Sequence, residues 1–301
     1  MVVSVPATSA NLGPGFDTLG LALKLHNVFS ITPSRLSGIH ISGEGEEYPK
    51  LRVDNIFVRI FNEILKRNDY PPTHFKFSFT NSIPISRGLG SSSAVIIGAI
   101  VSAYHIMQKP IDKPEILQLA LAYENHPDNI TPALYGGFNI AMLSCDEKKE
   151  QTHKVVSFQA PLPMDIKAVV VIPNIAISTK MSRKELPKKY TTKNAVFNLS
   201  RSCMLSAAFI THKWELLRES SKDRFHQKVR MKNCPALFSV QKIALQKGAL
   251  LSTLSGSGSS FLNICYRDDS AALAQVLREQ FPKFRVLELE FDNSGATLIE
   301  S

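Results

Sequence analysis

Apolar residues recur along this chain with two different periods, and the changes of period divide it into elements. Over residues 74–80 the run HFKFSFT alternates Phe75, Phe77 and Phe79 with polar residues, the period of a half-buried strand. Over residues 55–68 the apolar positions Ile56, Phe57, Ile60, Phe61, Ile64 and Leu65 fall three and four apart, which predicts an amphipathic helix. Residues 94–107, AVIIGAIVSAYHIM, are apolar nearly all round and predict a helix buried within a domain. A further helix is expected over residues 114–125, with Pro114 in the permitted first turn, and GGFNIAMLSC returns to strand. The polar run DEKKEQTHK at 146–154, followed by Pro161 and Pro163, breaks the pattern and places a domain junction there, giving domains at 1–155 and 156–301. Beyond it the strand KAVVVIP, helices near 194–212 and 235–247, strands GALLSTLSG and SSFLNICY, a helix at 270–281 and the strand RVLELEF follow. Strands and helices mixed without a regular βαβ rhythm predict an α+β fold in both halves.

Composition narrows the function. At 301 residues, 44% hydrophobic and 20% charged, the chain is long enough for two domains with cores of their own. The net charge of +9 comes in short pieces such as KKYTTK, without a stripe interleaved with aromatics, so small anions are better partners than nucleic acid. The opening MVVSVP reads as strand, and the apolar run from Ala94 is broken by Ser102, Tyr104 and His105, so neither a leader nor a membrane span is expected and the location expected is cytoplasmic. Cys145, Cys203, Cys234 and Cys265 lie far apart, the pattern of buried or incidental thiols rather than of a zinc knuckle or disulfide frame.

Three stretches carry chemistry. PISRGLGSSSA, residues 84–94, joins the expected strand to the buried helix. Gly88 and Gly90 permit backbone conformations closed to other residues, and Ser91, Ser92 and Ser93 fall at the helix start, where free N–H groups favour an anion. A phosphate is the natural guest, although Ser91 after Gly90 excludes a Walker P-loop, which has Lys there. VPATSANLGPGFDTLG, residues 5–20, packs Thr8, Ser9, Asn11 and Asp17 around Gly13, Pro14 and Gly15; it reads equally as a loop for a polar substrate or as a structural turn. ENHPDNITPALYGGF, residues 124–138, gathers Glu124, His126, Asp128 and Asn129 at a helix end. A carboxylate there suits a Mg²⁺ ion bridging nucleotide phosphates, and Asp128 or Asn129 can position a substrate hydroxyl. Taken singly, Glu124 also reads as a solvated acid and His126 as a structural residue.

Together, and in this order, these stretches resemble the homoserine kinases of the GHMP small-molecule kinase superfamily. The resemblance continues in ISTKMSRKELP (177–187), KNAVFNLSRS (193–202), DRFHQKVR (223–230) and LSGSGSS (254–260), and so covers essentially the whole chain. It implies an N-terminal domain like ribosomal protein S5 domain 2, a C-terminal ferredoxin-like domain and an active site between them. By similarity, Pro84, Ile85, Ser86, Arg87, Gly88, Leu89, Gly90, Ser91, Ser92, Ser93 and Ala94 wrap the ATP phosphates, Ser92 and Glu124 hold Mg²⁺, and Asn55 lies near the adenine. Asn11, Asp17 and His126 are implied to grip the amino and hydroxyl end of homoserine, and Arg183 and Arg230 its carboxylate. The third glycine-rich motif, residues 255–259, is implied to fold beneath the phosphates. The implied reaction moves the γ-phosphoryl of ATP to the hydroxyl of L-homoserine on the route to threonine. Of the candidate catalytic residues Asn129, Asp128 and Glu124, Asn129 is expected to face the hydroxyl and Asp128 to be structural, a choice the sequence does not decide. Asn125 stands where the family has Gly, which leads to the expectation of a positive φ there. Ser257 and Ser259 stand where the family has Ala and Pro. A mevalonate-type or sugar kinase of the same superfamily is the nearest alternative, a non-catalytic metabolite-binding member and a nucleic-acid-binding protein are more distant ones, and a homodimer is compatible with the family.

Overall fold

The computed structural model of the protein describes residues 1–146 and 149–299. Eleven strands occur among them: β1 (Val2–Ala10), β2 (Leu19–Ser34), β3 (Gly38–Gly43), β4 (His74–Asn81), β5 (Phe138–Asp146), β6 (Lys149–Ala160), β7 (Ile166–Ile172), β8 (Leu251–Leu254), β9 (Phe261–Tyr266), β10 (Arg285–Leu289) and β11 (Thr297–Ile299). The helices are α1 (Ile56–Arg67), α2 (Ser91–Ile106), α3 (Lys113–Ala120), α4 (Pro127–Tyr135), α5 (Thr179–Lys184), α6 (Thr192–Thr211), α7 (Leu217–Ser220), α8 (Gln227–Arg230), α9 (Ala236–Gln246) and α10 (Ser270–Gln280). No helix among the described residues is long and apolar enough to cross a membrane.

The first sheet runs β11-β1-β2-β4-β3, with β5 paired to β2 and β6 to β5. The alternation that predicts β4 is realised: Phe75, Phe77 and Phe79 are buried while the residues between them are exposed. Those rings interlock with Phe29 of β2 and with Phe57 and Phe61 of α1, at centroid separations of 4.7 Å for Phe29 and Phe57 and 5.2 Å for Phe61 and Phe75. Asn55 caps α1 through its side-chain oxygen, which accepts from the amides of Phe57 and Val58. The helix α2 is buried along most of its length, as its unbroken apolar sequence requires.

The second sheet is antiparallel, with order β10-β7-β9-β8. Helices intervene between β7 and β8 and, as α10, between β9 and β10, which is the ferredoxin-like topology the resemblance implies. The unbroken apolar run of β7 follows from burial on both faces. Ala168, Val170 and Ile172 join the core beneath the first sheet, whereas Val169 and Val171 pack with Leu237 and Val240 of α9 and Leu273 and Leu277 of α10. Phe209 of α6 stacks on Phe138 of β5 at 4.5 Å, so the two sheets share one apolar core.

Three local expectations differ from the structure. The polar run at 146–154 breaks the apolar pattern and predicts a domain junction, yet β6 begins at Lys149 and pairs with β5 of the first sheet as far as Ala160. A hairpin arm of a sheet satisfies its backbone through the ladder and needs no apolar face to do so. The chain then crosses to the second sheet after β6 and returns at its end, where β11 pairs with β1 and the amide of Asp292 bonds the Ala22 carbonyl. The helix expected over 114–125 stops at Ala120 and closes with the turn bonds Ala122 N–H to Leu119 O and Tyr123 N–H to Ala120 O. Farther on, Pro127 holds His126 extended at φ −118° and opens α4, so the helix could not have run on through His126. Asn125 is not at positive φ, contrary to expectation. Among the cysteines, Cys234 and Cys265 are buried and Cys203 is exposed; the side chain of Cys145 lies outside the described residues.

Candidate active site

A cavity of about 530 Å³ lies where the first sheet meets the second-domain segments 177–183 and 254–260. Of the residues singled out in the sequence, Asn11, Asp17, Asn55, every residue from 84 to 93, Glu124, His126, Asp128, Asn129, Arg183 and Arg230 line it. Ala94 does not; it is buried inside α2, its amide donating to the Gly90 carbonyl at 2.9 Å.

The glycine loop owes its shape to contacts on its outer side. The Ser86 carbonyl accepts from the Ile177 amide at 3.0 Å, that of Arg87 from the Ser260 amide at 2.9 Å and that of Leu89 from the Thr8 amide at 3.1 Å. The Gly88 carbonyl accepts from Ser255 Oγ at 2.6 Å. In a trans peptide the N–H points opposite to the preceding C=O, so four carbonyls held outward turn the amides of residues 87–90 toward the cavity. Gly88 (φ +78°) and Gly90 (φ +68°) are required twice over. A Cβ on Gly88 would lie 2.3 Å from the Ser255 carbonyl oxygen, and one on Gly90 would lie 1.9 Å from Thr8 Oγ1. Gly90 caps α2 without a side chain, leaving the first-turn amides of Ser91, Ser92 and Ser93 for an anion. The side chain of Arg87 bonds the Asn174 Oδ1 and the Ile85 carbonyl.

At the other pole of the cavity the polar loop after β1 turns on itself. Asn11, at φ +71°, accepts the Asp17 amide on its Oδ1 at 3.0 Å and donates from Nδ2 to the Gly256 carbonyl at 3.1 Å. Asp17 pairs with both terminal nitrogens of Arg183, at 2.7 and 2.9 Å, a bidentate contact that raises the Arg183 pKa. His126 lies 3.2 Å from Glu124 Oε1 and 4.0 Å from Asp17 Oδ2; its hydrogen bond with Glu124 raises its pKa above the ordinary value. Asp128 is buried in the first turn of α4, and burial pushes its carboxyl up to about 7, with the nearby charge of Asp17 acting in the same direction. Asn129 accepts from Thr8 Oγ1 at 2.8 Å, which fixes its amide, and its Nδ2 lies 3.4 Å from Asp128 Oδ1. Arg230 is 2% exposed, and burial lowers its pKa to about 10, which leaves it charged at neutral pH. The buried Nε atoms of Arg183 and Arg230 have no hydrogen-bond partner. Being buried, those atoms do not face the cavity; what suits a carboxylate is the pair of guanidinium cations among its lining residues.

The donor set also fits Mg²⁺. Ser92 has a hydroxyl and Glu124 a carboxylate, both residues line the cavity, and these are hard oxygen ligands few in number, as that ion prefers beside phosphates. No cluster of three or more His, Cys, Asp or Glu able to hold a metal occurs among the described residues, so an all-protein cage is absent.

Sequence reasoning passed over several residues at this site. Lys180 lines the cavity one turn before Arg183 on α5. Phe16 lies 5.1 Å from the Arg183 guanidinium, 5.3 Å from that of Arg230 and 5.2 Å from the His226 ring. For His226 a signal existed, since it stands four residues before Arg230 within DRFHQKVR.

The known proteins that this chain resembles are consistent with this geometry. The family described as GHMP kinases N terminal domain matches residues 55–137, and GHMP kinases C terminal matches residues 205–283. The homoserine kinase of Helicobacter hepaticus is 77% identical over 301 residues, spanning 100% of both chains. That of Wolinella succinogenes is 62% identical, spanning 98% of each. The crystal structure of homoserine kinase from Cytophaga hutchinsonii superposes with a TM-score of 0.85 at 25% identity, covering 99% of this chain and 97% of that one. With full-length relatives at 77% and 62% identity and both halves of the chain matched by GHMP kinase families, the chain belongs to the homoserine kinase family of the GHMP kinases.

Proposed function

We propose that this protein transfers the γ-phosphoryl group of ATP to the hydroxyl of L-homoserine, giving O-phospho-L-homoserine and ADP in the threonine pathway, and that it works in the cytoplasm. The observation that carries the reading is one cavity with a glycine-rich helix-start loop at one end and, at the other, the Asp17 carboxylate beside the guanidinium groups of Arg183 and Arg230. An amino acid presents an ammonium and a carboxylate on one carbon, and Asp17 with Arg183 and Arg230 offers the complementary pair of charges. In the protein alone Asp17 and Arg183 satisfy one another, so the incoming zwitterion exchanges an internal pair for two external ones. Mevalonate, with no ammonium, leaves Asp17 without that exchange.

The transfer forms a bond from the substrate oxygen to the γ-phosphorus as the bond from phosphorus to the β-bridging oxygen breaks, with ADP leaving and the hydroxyl proton released. Its loose transition state needs alignment and charge neutralisation more than covalent chemistry. The amides of residues 87–93 hold the phosphates. The apolar wall of Leu51, Ile56, Ile85 and Val95 beside Asn55 takes the base. Mg²⁺ would be held by Ser92 and Glu124, where it neutralises phosphate charge. Asn129, its amide fixed by Thr8, orients the hydroxyl, while Asp128 supports the first turn of α4. A second reading has one observation in its favour: a carboxyl near 7 is suited to accept a proton at neutral pH, which would make Asp128 the base.

The reading is tested by ADP release from Mg·ATP with L-homoserine, mevalonate, galactose or L-threonine as acceptor. Turnover on homoserine alone is expected; turnover on mevalonate or galactose without homoserine would overturn the substrate assignment. The two readings of the 128–129 pair separate by substitution. Asn129→Ala is expected to lower kcat by about 10²-fold, and Asp128→Asn by less than about tenfold; the reverse order would make Asp128 the base. Stability gives an independent check on Asp128. Its folded pKa stands above the unfolded value of 3.8, so the folded state holds a proton that the unfolded state has released. Its contribution to stability is therefore full below about 4 and lost as pH rises to about 7. The urea midpoint of Asp128→Asn is expected to gain on the wild type between pH 4 and pH 7, and a constant difference would contradict the burial of the charge.

A further inference from the structure

His226 is 1% exposed and takes no part in the chemistry above, yet it joins the two halves of the amino-acid pole. Its Nε2 lies 2.8 Å from the carbonyl oxygen of Gly13, a group that can only accept, so Nε2 carries the ring proton. Nδ1 is then a lone pair, and it lies 3.2 Å from Nη1 of Arg230, one helical turn on, where it accepts from the guanidinium. An imidazolium would aim an N–H at that cation instead; burial, followed by the charge of Arg230, lowers the His226 pKa and favours the neutral ring.

Each side of this bridge is fixed by other contacts. Gly13, at φ +91°, sits so close to the Ser221 carbonyl oxygen that a Cβ would lie 2.2 Å from it, which seats the loop carrying Asn11 and Asp17 against the turn before His226. The Gly256 carbonyl accepts from both Asn11 Nδ2 and Arg230 Nη1, each at 3.1 Å. Asp223 holds the start of α8 by accepting from the amides of Phe225, His226 and Gln227 at 2.8 to 2.9 Å, and Asn198 Nδ2 donates to the same carboxylate at 2.7 Å.

We propose that His226 is a positioning residue for substrate affinity: a neutral imidazole that locks the loop bearing Asp17 to the guanidinium of Arg230, so that the ammonium and carboxylate of the amino acid meet partners at a fixed spacing. The inference rests on the reading of Arg230 as a carboxylate ligand given above. Because His226 acts through Arg230 and not on the nucleotide, its loss falls on one substrate.

The test is a double-mutant cycle in steady-state kinetics on the full chain. His226→Phe keeps ring volume and removes both hydrogen bonds. It is expected to raise KM for homoserine about tenfold or more while KM for ATP moves less than about threefold. His226→Asn, whose Oδ1 can replace Nδ1 as acceptor for Arg230, is expected to recover part of that loss. In an Arg230→Ala background, His226→Phe is expected to add nothing further to KM for homoserine. An unchanged KM in His226→Phe, an equal rise in both KM values, or effects of the two substitutions that multiply independently would overturn the role of His226 while leaving the substrate reading intact. An Arg230→Ala enzyme with unchanged KM for homoserine would instead overturn the carboxylate reading, and this inference with it. Should the Phe variant not fold, ¹⁵N chemical shifts of the His226 ring in the wild-type protein decide: a neutral Nε2–H tautomer is expected, and an Nδ1–H tautomer or an imidazolium overturns the proposal.

Discussion

The outward grip on the carbonyls of residues 86–89 is the constraint on which the site depends. A glycine loop left to itself samples many conformations, and fixing each of its residues costs about 1–2 kcal/mol in backbone entropy. Here Thr8 from the first strand and Ile177, Ser255 and Ser260 from the second domain each take one carbonyl, so the ordering is complete before a phosphate arrives. Preorganisation of this kind lets charge on the phosphates meet dipoles already aligned. It also explains why the site lies at a junction: three of the four donors come from the second domain and one from β1.

Thr8 extends the same economy toward the acceptor. Its amide holds the phosphate loop, and its hydroxyl holds Asn129, so one residue of β1 sets the distance between the group to be transferred and the residue that orients the oxygen receiving it. For phosphoryl transfer that separation matters because catalysis rests mainly on positioning and charge stabilisation, and misplacement of about 1 Å can cost about 10²-fold. The amino-acid pole follows a second rule. Its charges are grouped as Asp17 with Arg183 and Arg230 with the neutral His226, so no buried charge stands without a partner or a ligand to receive.

Much of this was legible in the sequence, for identifiable reasons. Local rules suffice where one element decides the outcome: the alternation of Phe75, Phe77 and Phe79, the stripe of α1, and the glycines at 88 and 90, whose positive φ leaves little choice of residue. The three short chemistry-bearing stretches line one cavity because β1, α2 and α4 pack on one another. What stayed hidden depends on contacts between distant parts of the chain. Ser255 reaches Gly88 across 167 positions, His226 reaches Gly13 across 213, and Arg183 reaches Asp17 across 166; no periodicity encodes such pairings. The misplaced elements have the opposite cause. A polar run reads as a break although ladder bonds make strand β6 from Lys149, and an apolar stretch reads as helix up to Asn125 although turn bonds close it after Ala120.

The claim that the phosphate end is built by its outer contacts is tested most directly by calorimetric titration of Mg·ATP into the wild type and into Gly88→Ala. The added methyl meets the Ser255 carbonyl oxygen at 2.3 Å and must spread the loop from its support. An affinity loss of about tenfold or more in a folded protein whose thermal midpoint is lowered by the same clash is the expected result. Unchanged nucleotide affinity in a folded Gly88→Ala protein would contradict the account.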